Sequence, residues 1–168
     1  MLKKLLILFI AVAPLAAMAQ EVKIGTINVQ EVFTAMPEIS NIESQLTSKQ
    51  EEITKNMQAL EDEFNKKVEE FDKNPATSDA VKQDQQKQVG QIQERYQVYM
   101  QNSQQEMGQL RQKLLEPLNK KIGDAIKAVG DENKYTFVVD ISSQTSMVYM
   151  TPSAVDITPL VKTKLGIK

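Results

Sequence analysis

The sequence predicts an α+β fold in which a long antiparallel α-helical hairpin, a coiled-coil arm, is inserted in a small β-body. Strand-like segments rich in β-branched residues lie towards both ends of the chain, at 22–29 and 135–142. Between them, residues 37–132 form a polar zone rich in Gln, Glu and Lys, with a thin apolar stripe at helical spacing. A turn signal at 74–78 divides this zone in two and places the tip of the arm there.

The first residues have the pattern of a cleavable secretory signal peptide. Two lysines precede an apolar run from Leu5 to Ala17, which is shorter than the ~20 residues that span a bilayer. Small residues around Ala19 supply a cleavage site, so we expect residues 1–19 to be removed after Ala19 and the protein to be exported to the periplasm. The alternative is an anchor helix that is not cleaved.

The two halves of the polar zone are expected to pair as antiparallel helices. Pro75 disfavours helix at Asn74, and Ser78 can cap a new helix. Each half carries an apolar stripe, and the two stripes are sheltered from water only if the helices fold back on each other. Pro117 lies inside the second helix and is expected to kink it, because proline removes one hydrogen bond and clashes with the preceding turn.

The flanking segments, 20–36 and 133–168, are expected to form the β-body. An isolated two-stranded element is marginal, so 22–29 is predicted to pair with 135–142 and with a third strand at Met147–Met150. Thr158 and Pro159 are predicted to start a C-terminal helix over 160–165. Phe137 and Val139 are expected in the core, which would be small for one chain and favours association of its sheet with those of other subunits. The predicted oligomerisation residues are Ile24, Ile27, Val29, Tyr135, Phe137, Val139 and Ile141.

The composition argues against an enzyme. The chain has no His and no Cys, which removes the commonest general base, the thiol nucleophile and most ligands of transition metals. The glycines are scattered singly, so no phosphate-binding loop is present. Carboxylate clusters such as 61–63 alternate with lysines as they do on a solvated helix face. We therefore expect no catalytic site, no cofactor and no metal.

The charge of the chain gives no attraction for nucleic acid. The formal net charge is −2, and removal of a signal peptide with two lysines makes it −4. Without Cys, an exported chain has no disulfide, so its stability must come from burial and association.

Several segments resemble the Skp/OmpH family of periplasmic chaperones, in order along the whole mature chain. The resemblance is carried by 23–29, Val32-Phe33, Pro37, 122–129, 135–140, Tyr149 and 156–158. It implies a homotrimer whose sheets join into a body and whose arms surround a cavity. In that cavity, unfolded outer-membrane β-barrel proteins would be held without ATP, protected from aggregation before outer-membrane assembly.

The resemblance also implies that the arm meets the client through many weak contacts, for which thin apolar stripes and flexible Met side chains are suited. The client-facing candidates are Ile53, Met57, Phe64, Phe71, Tyr96, Tyr99, Met100 and Met107. Many members of the family are basic, whereas this chain is mildly acidic, so contact with lipopolysaccharide or a membrane surface is not carried over. The alternative function is an exported structural coiled coil that acts as an envelope spacer.

Overall fold

The computed structural model describes residues 22–74, 78–143 and 149–167. The predicted signal peptide and its cleavage site therefore lie outside the described residues. In chain order the elements are β1 (Ile24–Ile27), α1 (Val29–Ala35), α2 (Glu38–Lys73), α3 (Asp79–Glu132), β2 (Phe137–Asp140), β3 (Val155–Asp156) and α4 (Thr158–Lys164). The predicted α+β class is confirmed, with α2 and α3 as the hairpin and the strands as a small sheet.

Local capping signals set several helix ends. The Ser78 side chain accepts a hydrogen bond from the Val81 backbone N–H at 3.4 Å and starts α3, as predicted. The Asn28 side chain starts α1 in the same way, with a 3.0 Å bond from the Glu31 N–H. These bonds satisfy backbone donors that a helix leaves free in its first turn. Helix α3 continues through Pro117 as one unbroken helix.

The three strands form one parallel sheet in the order β2-β1-β3. Ile24 is paired with Phe137, and Gly25 with both Val138 and Val155. Parallel neighbours require a long crossover connection, and the whole α2–α3 arm is part of the connection between β1 and β2. The arm and the sheet are therefore one topological unit.

The predicted third strand at Met147–Met150 is wrong. Tyr149 and Met150 are not in a strand, residues 147 and 148 lie outside the described ranges, and the third strand is Val155–Asp156. This strand leads directly into α4, and the Ile157 N–H extends the pairing with a 2.8 Å bond to the Thr26 carbonyl. A strand of two residues has no alternating pattern that could distinguish it in the sequence.

The core lies where the sheet, α1, α4 and the base of the arm meet. Its buried members are Ile27, Val32, Met36, Ile42, Leu118, Ile122, Ala125, Val129, Ile157 and Val161. Phe137 is 61% exposed and Val139 is 37% exposed, so the expectation that both lie in the core is wrong for the single chain. Side chains alternate along a strand, and it is Val138, between them, that packs against the core.

Helix α4 begins earlier than predicted, at Thr158 rather than Leu160. Thr158 lies in its first turn, and its hydroxyl accepts from the Asn28 N–H at 3.0 Å and donates to Asp156 Oδ1 at 2.6 Å. The hydroxyl thus joins the end of β1 to the end of β3. The chain leaves the helix through Gly166, whose φ of 72° suits glycine.

Asp140 joins the end of β2 to the start of α1. Its Oδ1 accepts from the backbone N–H groups of Val29 (3.2 Å) and Ser142 (2.9 Å), and its Oδ2 accepts from the Ser142 hydroxyl (2.9 Å). Burial by itself would raise the pKa of this carboxyl, but the hydrogen bonds outweigh burial and lower the pKa below its ordinary value. Asp140 therefore stabilises the body in its ionised form.

Candidate client-binding arm

The arm consists of α2 packed antiparallel on α3, with a narrow apolar seam between them. Helix α2 alone has 36 residues and is about 54 Å long at 1.5 Å per residue. Far from the body the seam side chains are mostly half-buried, and of the described arm residues there only Ile53, Ile92 and Ser103 are buried. A two-helix arm has no third element to cover its remaining faces, so its apolar residues stay partly accessible.

One edge of the seam is closed by polar pairs that join the two helices. Lys49 Nζ lies 3.1 Å from Glu106 Oε2, Asn56 Nδ2 donates to Tyr99 Oη at 2.9 Å, and Arg95 Nη2 lies 2.5 Å from Glu63 Oε1. We call these three pairs the laced edge. On α2, their members Lys49, Asn56 and Glu63 are spaced by seven residues, which puts them on one side of the helix.

Lys49 interrupts the apolar stripe of α2, and two glutamates pair with it. Besides Glu106 on α3, Glu52 on the same helix lies 3.2 Å from Lys49 Nζ. Hydrogen bonds to Glu106 and then Glu52 raise the pKa of Lys49 above its ordinary value. The lysine is therefore charged in the folded arm, and its pairing with Glu106 favours one alignment of α2 on α3.

The opposite edge of the seam, which we call the open edge, carries three hollows in series, each lined by apolar side chains with polar neighbours. The hollow closest to the body, of about 470 Å³, is lined by Ile53, Met57, Met100 and Met107, among others. The middle hollow, of about 410 Å³, lies over Leu60, Phe64, Ile92 and Tyr96. The hollow closest to the tip, of about 360 Å³, is formed by Val68, Phe71, Val89 and Gly90 with polar neighbours.

The three hollows lie on the same side of α3. Gln93 lines both the middle and the tip hollow. From Gln93, the lining residues Gln97, Met100, Gln104 and Met107 follow at steps of four and three, which keeps them on one side of a helix. The polar lining of the open edge is mainly glutamine. Its charged members are Glu61, Asp72, Lys82 and Arg111, whose formal charges cancel.

Most of the client-facing candidates lie along the open edge. Six of the eight line a hollow without being buried: Met57, Phe64, Phe71, Tyr96, Met100 and Met107. Ile53 is only 6% exposed and lies at the bottom of the hollow closest to the body. Tyr99 belongs to the laced edge, where its hydroxyl accepts the Asn56 bond.

Some arm residues were not singled out from the sequence. Asn56 and Glu63 close the laced edge, and the seven-residue spacing that they share with Lys49 was the available signal. Ser103 is buried in the stripe at a position where an apolar residue is the usual choice. Three further residues of the apolar stripe line hollows: Leu60, Ile92 and Val89. In the sequence, their position in the stripe was the only indication of this role.

The predicted oligomerisation residues divide into two groups in the body. Ile27 is buried, and Ile24, Val29, Tyr135 and Ile141 are half-buried in the chain's own packing. Phe137 and Val139 are exposed on β2, one of the two outer strands of the sheet. The body exposes further apolar side chains at Tyr149, Met150, Val155 and Leu160.

Across 22–74, 78–143 and 149–167, no helix combines the length and the apolarity needed to cross a bilayer. Within the same ranges, acidic side chains do not gather into a group of three or more that could hold a metal ion.

Comparisons with known proteins agree on one family. The family model described as Outer membrane protein (OmpH-like) matches residues 23–165. Among solved structures, the chain is similar to a protein from Caulobacter crescentus CB15, described as a candidate outer membrane chaperone (OmpH-like) and solved at 2.83 Å resolution. The TM-score is 0.67 at 17% sequence identity, over 84% of this chain and 82% of the other. No curated protein sequence matches the chain.

Proposed function

Because the chain belongs to the OmpH-like family of outer membrane chaperones, we propose that it is an ATP-independent holdase of the periplasm. It would bind unfolded outer-membrane β-barrel proteins between its arms and prevent their aggregation. The observation that carries this proposal is the separation of two apolar regions. The core is buried at the base of the molecule, whereas the projecting arm keeps a long series of apolar side chains accessible.

The arm suits weak and distributed binding. An unfolded β-barrel protein exposes alternating apolar residues along its whole length, and several shallow hollows can each bind one of them for a short time. Methionine lines the hollow closest to the body from both helices, and its flexible side chain adapts to differently shaped partners. Many weak contacts hold a client without trapping one segment of it.

We further propose that the protein works as a homotrimer joined through the bodies. The exposed Phe137 and Val139 on β2 support this, because large apolar side chains on an outer strand gain stability when another subunit covers them. Three arms would then surround one client cavity. The function is non-enzymatic, in keeping with a chain that has neither His nor Cys.

The test is suppression of aggregation of an unfolded outer-membrane β-barrel protein by the mature chain. We expect suppression at about one oligomer per client, no effect of ATP and only a modest loss of affinity with added salt, because the chain has a small net charge. The same β-barrel protein, already folded in detergent, should not bind. Absence of suppression at a several-fold molar excess would reject the holdase and favour an envelope spacer.

A shortened arm provides the matched variant. Glu63 and Arg95 face each other across the seam, so replacing residues 64–94 by a short Gly/Ser turn keeps this pair and the whole body. We expect a folded oligomer of unchanged stoichiometry that has lost most of its aggregation suppression. If the variant is instead an unfolded monomer, the body does not fold independently of the outer arm and the proposed division of roles is wrong.

A further inference from the structure

The two edges of the arm differ in a way that indicates what the open edge binds. The laced edge is bridged by Lys49–Glu106, Asn56–Tyr99 and Glu63–Arg95, so these polar groups already have partners on the facing helix. A hollow of about 430 Å³ lies on this side too, beside Glu63 and Arg95, but apart from Ile92 its lining is charged or amide. The open edge has three hollows with apolar side chains in their lining, and in the described residues no cross-arm ion pair closes them. A side-chain hydrogen bond crosses this edge only at the tip, from Gln85 Nε2 to the Asn74 carbonyl at 3.5 Å. A client therefore gains more by contacting the open edge, where apolar surface is still available.

The spacing of the hollows sets the length of a matching segment. The outer two hollows are separated by roughly 17 helical residues, or about 26 Å along the arm. An extended chain rises ~3.3 Å per residue, so about eight steps, or nine residues, join the two ends. Neighbouring hollows are about 13 Å apart on average, close to four residues of extended chain, and residues four apart lie on the same face of a strand.

The lining also indicates what net charge the bound segment has. The formal charges of Glu61, Asp72, Lys82 and Arg111 cancel, which favours a segment with no net charge. The remaining polar groups are mainly glutamine amides, such as those of Gln93, Gln97 and Gln104. An amide both donates and accepts hydrogen bonds, and so complements the N–H and C=O groups of an extended backbone.

We infer that the open edge is a groove for one extended, uncharged segment of about nine residues, with bulky apolar side chains on one face at intervals of about four residues. This inference rests on the proposed holdase function and adds to it the edge of the arm that binds and the pattern that it recognises. A membrane-spanning β-strand, with ~9–11 residues and alternating apolar side chains, contains this pattern.

The first experiment compares two fluorescent nine-residue peptides by anisotropy with the full mature chain. Both contain three Leu among Ser, Thr and Gln. One places the leucines at positions 1, 5 and 9, on one face, and the other places them together at 4, 5 and 6. We expect the first peptide to bind about tenfold more tightly, since only it can fill several hollows at once. Equal affinities would overturn the inference.

The second experiment uses a matched pair of variants on α3. Met100 is 39% exposed and lines the open edge, whereas Val98 is 49% exposed and lines none of the three hollows. Because neither residue is in the core, Met100→Gln and Val98→Gln should fold alike, which circular dichroism checks. We expect Met100→Gln to weaken binding of the one-face peptide about fivefold and Val98→Gln to leave it unchanged.

The outcomes separate this inference from the proposed function. If the wild-type chain suppresses aggregation but Val98→Gln weakens peptide binding as much as Met100→Gln does, the open edge is not the binding groove and the holdase function still stands. If the wild-type chain does not suppress aggregation, the proposed function itself fails. Suppression together with selective loss in Met100→Gln supports both.

Discussion

Truncation of Ile157 to alanine tests the position of the core most directly. The side chain is fully buried, and its Cγ2 lies 3.3 Å from the point where a Cβ on Gly25 would be. The neighbouring backbone of β1 is held by strands on both sides, so it cannot move in to fill the space that the truncation leaves. We therefore expect Ile157→Ala to lower the free energy of unfolding by about 4 kcal/mol, in the upper part of the usual range for this substitution.

The measurement is denaturant unfolding followed by circular dichroism at fixed protein concentration, with the melting temperature as a second reading. For a chain of this size, 4 kcal/mol corresponds to a drop of roughly 8–16 °C. The control is Val98→Ala, which shortens an aliphatic side chain that is half-exposed and should cost less than about 1 kcal/mol. If Ile157→Ala costs no more than the control, the core does not lie between the sheet and α4.

Three further predictions concern the body. Phe137→Ala should leave the circular dichroism spectrum unchanged, because Phe137 is exposed in the single chain. It should lower the oligomer mass measured by light scattering, and an unchanged mass would show that Phe137 is not in the proposed interface. The folded-state pKa of Asp140 lies below its ordinary value of 3.8, so its contribution is present above that pH and is lost as the pH falls through the lowered pKa. The free energy of unfolding should therefore decrease less steeply below about pH 4 in Asp140→Asn than in the wild-type chain. The same pH dependence in the two proteins would contradict this. Gly166→Ala should cost about 1 kcal/mol, since alanine is strained at a φ of 72°; no loss in denaturant unfolding would show that the end of α4 readjusts freely.

Local signals were sufficient for the arm and its ends. Apolar residues at helical spacing predict two long helices, and Ser78 predicts where the second one starts. Gly166 likewise marks the end of α4. These features depend on residues within one or two turns of each other, so the order of residues along the chain contains the necessary information.

The strand pairing was predicted only in part. The β1–β2 pair was predicted from two β-branched runs that each needed a partner. The short strand at 155–156 was missed, because only its pairing with Gly25 and Thr26 of β1 makes it a strand. The core was misplaced for a related reason. Phe137 is more apolar in isolation than Thr158, but it points away from the helices, whereas Thr158 is buried between β1 and β3.

The sequence by itself determined the helical hairpin, its tip, the strands that flank it and the absence of His and Cys chemistry. Only the tertiary structure decided which apolar side chains are buried in the body and which edge of the arm stays open. The pairs that close the laced edge, such as Asn56 with Tyr99, join residues far apart in the chain. Their meeting depends on the alignment of two antiparallel helices, which is set by packing along the whole seam rather than by any local pattern.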